Sequence, residues 1–86
     1  MLNKTAYYHY WASDIFDIIQ ENTGEDWQSE MMEYYGAMCD TSIMFYVDTD
    51  GYNVDNMTDL DKICYYVSFV LVENGCPDKT TIYLDF

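Results

Sequence analysis

Sixteen carboxylates stand against three lysines and no arginine in this 86-residue chain, a formal charge of −13. Self-repulsion at that density works against any compact state, and nothing about folding requires it. The core that must offset it is small, because a domain of this length buries only about 60–65% of the surface its unfolded form exposes. Half of the residues are hydrophobic, too many for a disordered acidic tail. Without repeats, linkers or low-complexity stretches, residues 1–86 read as a single compact domain.

The spacing of apolar residues predicts the elements. From Thr5 to about Asn22, Tyr7, Trp11, Ile15, Ile18 and Ile19 recur at helical intervals, with Asp14, Asp17 and Glu21 on a different face. Gly24 stops that helix. Thr23 and Asp26 resemble a capping box, with Asp in place of the usual Glu, and predict a second helix running to about Tyr35. Its apolar side holds Trp27, Met31 and Tyr34, its acidic side Asp26, Glu30 and Glu33, and Gly36 suits its C-terminal cap. Ser42–Val47 is rich in strand formers. The Asp48-Thr-Asp-Gly turn predicts a hairpin with a short return strand at Tyr52–Val54.

Thr58-Asp-Leu-Asp61 is a helix start signal, followed by a stripe of Leu60, Ile63, Cys64, Val67, Val70 and Leu71. Glu73-Asn-Gly75 and Pro77 end it. The segment is β-branched and aromatic enough for a strand, but the paired start and stop signals favour a helix. Thr80–Leu84 reads as a last strand. The order ααββαβ predicts an α+β domain, with helices on one face of a two- or three-stranded sheet. Trp11 and Trp27 are expected in its core.

Cys39, Cys64 and Cys76 are odd in number and contain no Cys-x-x-Cys pair. With no charged-then-apolar leader, they read as reduced thiols in a cytoplasmic protein, the host cytoplasm if the gene belongs to a phage. The longest apolar run, Ile63–Val72, is too short to span a bilayer, and anionic lipid repels such a chain.

The carboxylates on the first two helices fall at i, i+3, i+7 (Asp14, Asp17, Glu21) and i, i+4, i+7 (Asp26, Glu30, Glu33). Seven residues of helix rise about 10 Å. Three charges over that length approximate the phosphate spacing of one DNA strand, about 3.4 Å. Most charge runs are simply solvated faces, but those ordinarily interleave both signs, and here no Lys or Arg intervenes. A second acidic group, Asp48, Asp50, Asp55, Asp59 and Asp61, surrounds the turn and the third helix start, where Asp59 and Asp61 also suit the helix dipole. The spacing of Asp48, Asp50 and Asp59 partly matches an EF-hand loop. It departs where that loop is strict, with Tyr52 in place of a ligand, Asn53 in place of the glycine and Asp59 in place of the bidentate Glu.

Nothing predicts an enzyme, a cofactor or a metal centre. His9 is the sole histidine, lies among aromatics, and has no cysteine at a spacing that argues for a nucleophile pair. Three cysteines and one histidine are scattered, unlike paired zinc ligands. Direct nucleic-acid binding is disfavoured by charge, with no Arg to read a base edge. The ten tyrosines either fill the core or reach the surface as contact area with a polar tip.

In size, charge and the stripes Asp14/Asp17/Glu21 and Asp26/Glu30/Glu33, the chain resembles the small phage-encoded inhibitors that mimic DNA, the anti-CRISPR and anti-restriction proteins. That resemblance implies a non-enzymatic inhibitor occupying the positive channel or PAM-reading site of a nuclease complex. It implies no fold, since these inhibitors share none. A second resemblance is to immunity proteins such as barstar and those of the colicins, which neutralise basic nuclease toxins. Tyr7-Tyr8, Tyr34-Tyr35 and Tyr65-Tyr66 lack the proline that follows the paired tyrosines of the colicin family. A third possibility is a housekeeping domain acidified for high salt, which the Asn, Ile, Met and Tyr usage makes less attractive. The expected partner-binding residues are Asp14, Asp17, Glu21, Asp26, Glu30 and Glu33, with Tyr10 and Tyr35 as anchors because they fall off the apolar stripes. The expected partner is a positively charged nucleic-acid-binding protein or nuclease complex. A homodimer stays open, since an apolar patch for it cannot be located from sequence.

Overall fold

A computed structural model describes residues 8–86 in full and the backbone of residues 4–6. The elements in order are β1 (Lys4–Ala6), β2 (His9–Trp11), α1 (Ala12–Thr23), α2 (Gln28–Tyr35), β3 (Ser42–Val47), α3 (Asp59–Glu73) and β4 (Thr80–Asp85), with a single 3-10 turn at Val54–Asn56. The sheet order is β1-β2-β4-β3. Strands β2 and β4 run parallel, β3 and β4 antiparallel, and β1 adds a short antiparallel edge with an irregular register. The body of the fold is thus a three-stranded mixed sheet, β2-β4-β3, in an α+β domain. Its radius of gyration of 11.9 Å matches the roughly 12 Å expected of a compact chain this long.

Alternation assigns the faces. In β3, Ile43, Phe45 and Val47 point inward, and in β4 so do Ile82 and Leu84. Against them pack Ala12, Ile15, Phe16 and Ile19 of α1, Met31 of α2, and Ile63, Val67, Val70 and Leu71 of α3. All three helices therefore cover one face.

Local signals set several boundaries as expected. Thr58 Oγ1 accepts from the Asp61 amide at 3.1 Å, and the Asp61 carboxylate accepts from the Thr58 amide at 3.3 Å. That reciprocal capping box opens α3 as a helix and not a strand. Gly24 and Gly36 close α1 and α2 at φ of 78° and 65°, left-handed values that a Cβ disfavours.

Four local expectations are corrected. The first helix begins at Ala12, not near Thr5; Thr5 and Ala6 belong to β1, His9–Trp11 to β2, and Tyr7 lies outside the described residues. Bulky aromatics suit a pleated surface, and the β4 edge supplies the ladder from His9↔Tyr83 to Trp11↔Asp85. The return strand at Tyr52–Val54 is absent. The Asp48 carboxylate instead folds the turn onto itself, accepting from the Asp50 amide at 2.8 Å and the Gly51 amide at 3.0 Å. The chain then leaves the sheet, and β4 becomes the partner of β3 along all six residues.

Thr23 and Asp26 form no capping box. Thr23 Oγ1 donates to the Ile19 carbonyl and accepts from the Glu25 amide, while Asp26 Oδ1 accepts from the Gln28 amide. Gly24 breaks the chain between the two, so α2 starts at Gln28 and Asp26 precedes it. Trp11, expected in the core, is 45% exposed on the outer sheet face, whereas Trp27 is 8% exposed and does belong to the core.

Candidate interaction surfaces

On α1, the buried Ala12, Ile15, Phe16 and Ile19 define the inner side, and Asp17 and Glu21 project from the other at i, i+4 spacing. On α2, Met31 points inward, and Glu30, Glu33 and Tyr34 are exposed. Asp26 is exposed just ahead of that helix. The acidic faces are therefore turned away from the core. Asp14 differs: it is partly buried in the first turn of α1, where the dipole favours a carboxylate, and its Oδ2 is buried without a hydrogen-bond partner.

The described cations are placed elsewhere. Lys62 Nζ sits 5.3 Å from the centre of the Trp27 ring, and Lys79 Nζ pairs with Asp50 at 2.7 Å. Among the described residues, no cation lies within 4 Å of a carboxylate on α1 or α2.

In the second acidic group, Asp48, Asp50 and Asp61 are engaged within the fold, and Asp55 and Asp59 are exposed. Asp48 closes its turn, and Asp61 caps α3. Asp78 accepts from the Thr49 hydroxyl and from the Thr49 and Lys79 amides, which holds its carboxyl below the usual range. Among the described residues, no three His, Cys, Asp or Glu side chains converge as metal ligands.

The two tyrosines expected as anchors are both tied to the fold. Tyr10 is 4% exposed, because inward parity in β2 carries it into the core; it is not available to a partner. Tyr35 is partly open, but its hydroxyl shares a 3.5 Å hydrogen bond with the buried Cys64 thiol. Tyr34, expected on the apolar side, is the freer ring and lies beside the acidic residues.

Burial of the phenols has a consequence at high pH. Desolvation, aided by Cys76, pushes Tyr10 from 10.0 up to about 12, and desolvation likewise raises Tyr52 to about 12. Desolvation and the Cys64 hydrogen bond raise Tyr35 as well. A phenol harder to ionise in the folded state stabilises the fold fully below its unfolded value. That contribution is lost as pH climbs from about 10 to about 12. Stability is accordingly expected to fall above about pH 10, with tyrosinate absorbance rising in the same transition as the loss of circular dichroism. Full, non-cooperative titration of every tyrosine ahead of unfolding would contradict this placement.

The opposite side of the sheet has a different character. Outward parity places Trp11 of β2, Met44 and Tyr46 of β3, and Tyr83 of β4 on a face that no helix covers. His9 stacks on Tyr83 at 4.6 Å between ring centres. His9 Nδ1 lies 3.2 Å from Asp85 Oδ1, which also accepts from Ser42 Oγ at 2.5 Å. Here the carboxylate stands between histidine and serine. A nucleophilic triad needs the imidazole between the other two, so this set orders the sheet face without activating the serine.

A shallow hollow of about 200 Å³ beside it is lined by Trp11, Asp40, Thr41, Ser42, Asp85 and Phe86. Sequence reading missed this face because the helix assigned to Trp11 concealed the period-two alternation of His9–Trp11. Among the described residues, no helix is long and apolar enough to cross a membrane. Compared with known proteins, the chain matches no family model, no curated protein and no solved structure.

Proposed function

We propose that this chain is a non-enzymatic binding protein that occupies the nucleic-acid-binding surface of a basic partner, in the manner of a DNA mimic. The observation that carries the reading is the pair of exposed acidic faces: Asp17 and Glu21 on α1, Glu30 and Glu33 on α2, with Asp26 just ahead of it. None has a cation within 4 Å among the described residues. Like charges at i, i+4 cost a helix about 0.2–0.5 kcal/mol per pair, and Asp17–Glu21 incurs that cost unrelieved. A cationic channel offsets it on binding. Tyr34 supplies a rigid contact beside the carboxylates, and the charge steers association. Three free cysteines suit a reducing cytoplasm as the place of action.

The test is a tagged pull-down from lysate of the native or host cell at low and high salt, with mass spectrometry of the retained proteins. The expected result is a nuclease or other nucleic-acid-binding complex, released by salt and displaced by competing DNA. Retention of one small nuclease transfers the reading to an immunity protein. An empty pull-down at low salt overturns both.

A further inference from the structure

The uncovered sheet face calls for an occupant, and its charge distribution selects one. Of the residues directed outward from β2, β3 and β4, only Asp85 carries a carboxylate, and that carboxylate is engaged by His9 and Ser42. In a chain with sixteen acids, this face is, among the described residues, a region with little free negative charge that a second strongly acidic surface can approach. A basic partner gains less there, because Asp85 is already engaged and Asp40 at the rim of the hollow is the exposed carboxylate close by, while both helices offer several.

We propose that this face is the contact between two copies of the chain, packed sheet against sheet. Facing sheets stack about 10 Å apart. That arrangement puts both helix layers, with the α1 and α2 carboxylates, on the far outer sides of the dimer. The two sets then stand apart by well over the Debye length of about 8 Å at physiological salt.

The area agrees with a reversible dimer. Trp11 is 45% exposed, Met44 64%, Tyr46 53% and Tyr83 37%. With large side chains of about 150–250 Å² each, these four leave on the order of 400 Å² per copy. Two faces with their flanking threonine and serine approach about 1,000 Å², the low end of specific interfaces. Tyr83 lies opposite both His9 and Met44 in register, so the patch is continuous across all three strands.

The experiment is sedimentation velocity on the full chain over a wide concentration range, at low salt and at about 0.5 M salt. The expected result is a monomer–dimer equilibrium in the micromolar range that tightens with salt, because screening weakens repulsion between like-charged copies. Capture of a basic partner weakens with salt, so failure of one idea leaves the other distinguishable. The double variant M44E/Y46E is expected to stay folded and lose at least about 100-fold in association constant, since four carboxylates would enter the interface without a cation. If that variant unfolds, Thr81→Glu places the charge at an exposed site opposite Tyr46 in register. Reversal of the α1 and α2 acids should leave the dimer intact. A monomer at every concentration in high salt overturns the proposal, as does a dimer that survives the sheet variants or dissolves with the helix variants.

Discussion

Reversing Asp17, Glu21 and Glu30 together to lysine is expected to abolish binding to the basic partner while leaving the domain folded. All three side chains are exposed and turned from the core, so the substitution empties no packed space and strands no buried charge. Placing like charges across an interface costs several kcal/mol. A loss of at least about 4 kcal/mol over three positions is roughly a thousandfold in affinity. Calorimetric titration against the captured partner reads the affinity, and a thermal melt by circular dichroism reads the fold. Unchanged affinity would remove these faces from consideration.

The single reversal E21K separates binding from stability further. It turns the repulsive pair with Asp17 into an attractive one and puts a cation in the last turn of α1, which has no basic residue. Together these effects stabilise the helix by about 0.5–1 kcal/mol. A variant that melts higher yet binds less tightly would indicate that the acidic face is kept for recognition at the expense of stability.

The second large effect is expected from the two tryptophans, in opposite senses. Trp27 precedes α2, is 8% exposed, packs on Tyr66 with ring centres 5.5 Å apart, and carries Lys62 over its face. Trp27→Ala removes that packing and should cost about 3–5 kcal/mol. The total stability of a domain this size is about 4–13 kcal/mol, so a large share of the molecules would unfold at moderate temperature. Trp11→Ala, at an exposed site, should change the stability of the monomer by less than about 1 kcal/mol and weaken the sheet-to-sheet dimer instead. Urea unfolding of both variants decides the matter. Equal losses would mean that Trp11 is buried after all, and the outer sheet face with it.

The tryptophans also mark where sequence reading succeeded and where it failed. The α3 stripe was placed correctly because helical periodicity sustained over a 15-residue helix leaves little ambiguity, and Trp27 and Met31 were placed correctly in the core. The acidic residues of α1 and α2 were legible for the same reason, apart from the partial burial of Asp14 and the position of Asp26 outside the helix. Trp11 and Tyr10 were both misplaced. In a three-residue strand, helical and strand periods are indistinguishable, and the error reversed which of the two faces outward. Tyr34 and Tyr35 were exchanged for a related reason: α2 is eight residues long, too short for its stripe to define the buried side sharply.

What the sequence determined by itself is local. Side chain-to-backbone bonds within four residues set the start of α3, left-handed glycines set the ends of α1 and α2, and a run of strand formers set β3 over Ser42–Val47. The net charge is equally a property of composition. Only the tertiary structure decided that β3 pairs with β4 and not with a hairpin neighbour, and that the N-terminal aromatics join the sheet beside β4. Strand pairing satisfies backbone groups on segments far apart in the chain, as the His9–Asp85 contact across 76 positions illustrates, and no local pattern encodes such a partner. The open aromatic face is a product of those distant pairings, which is why it became visible only in the folded chain.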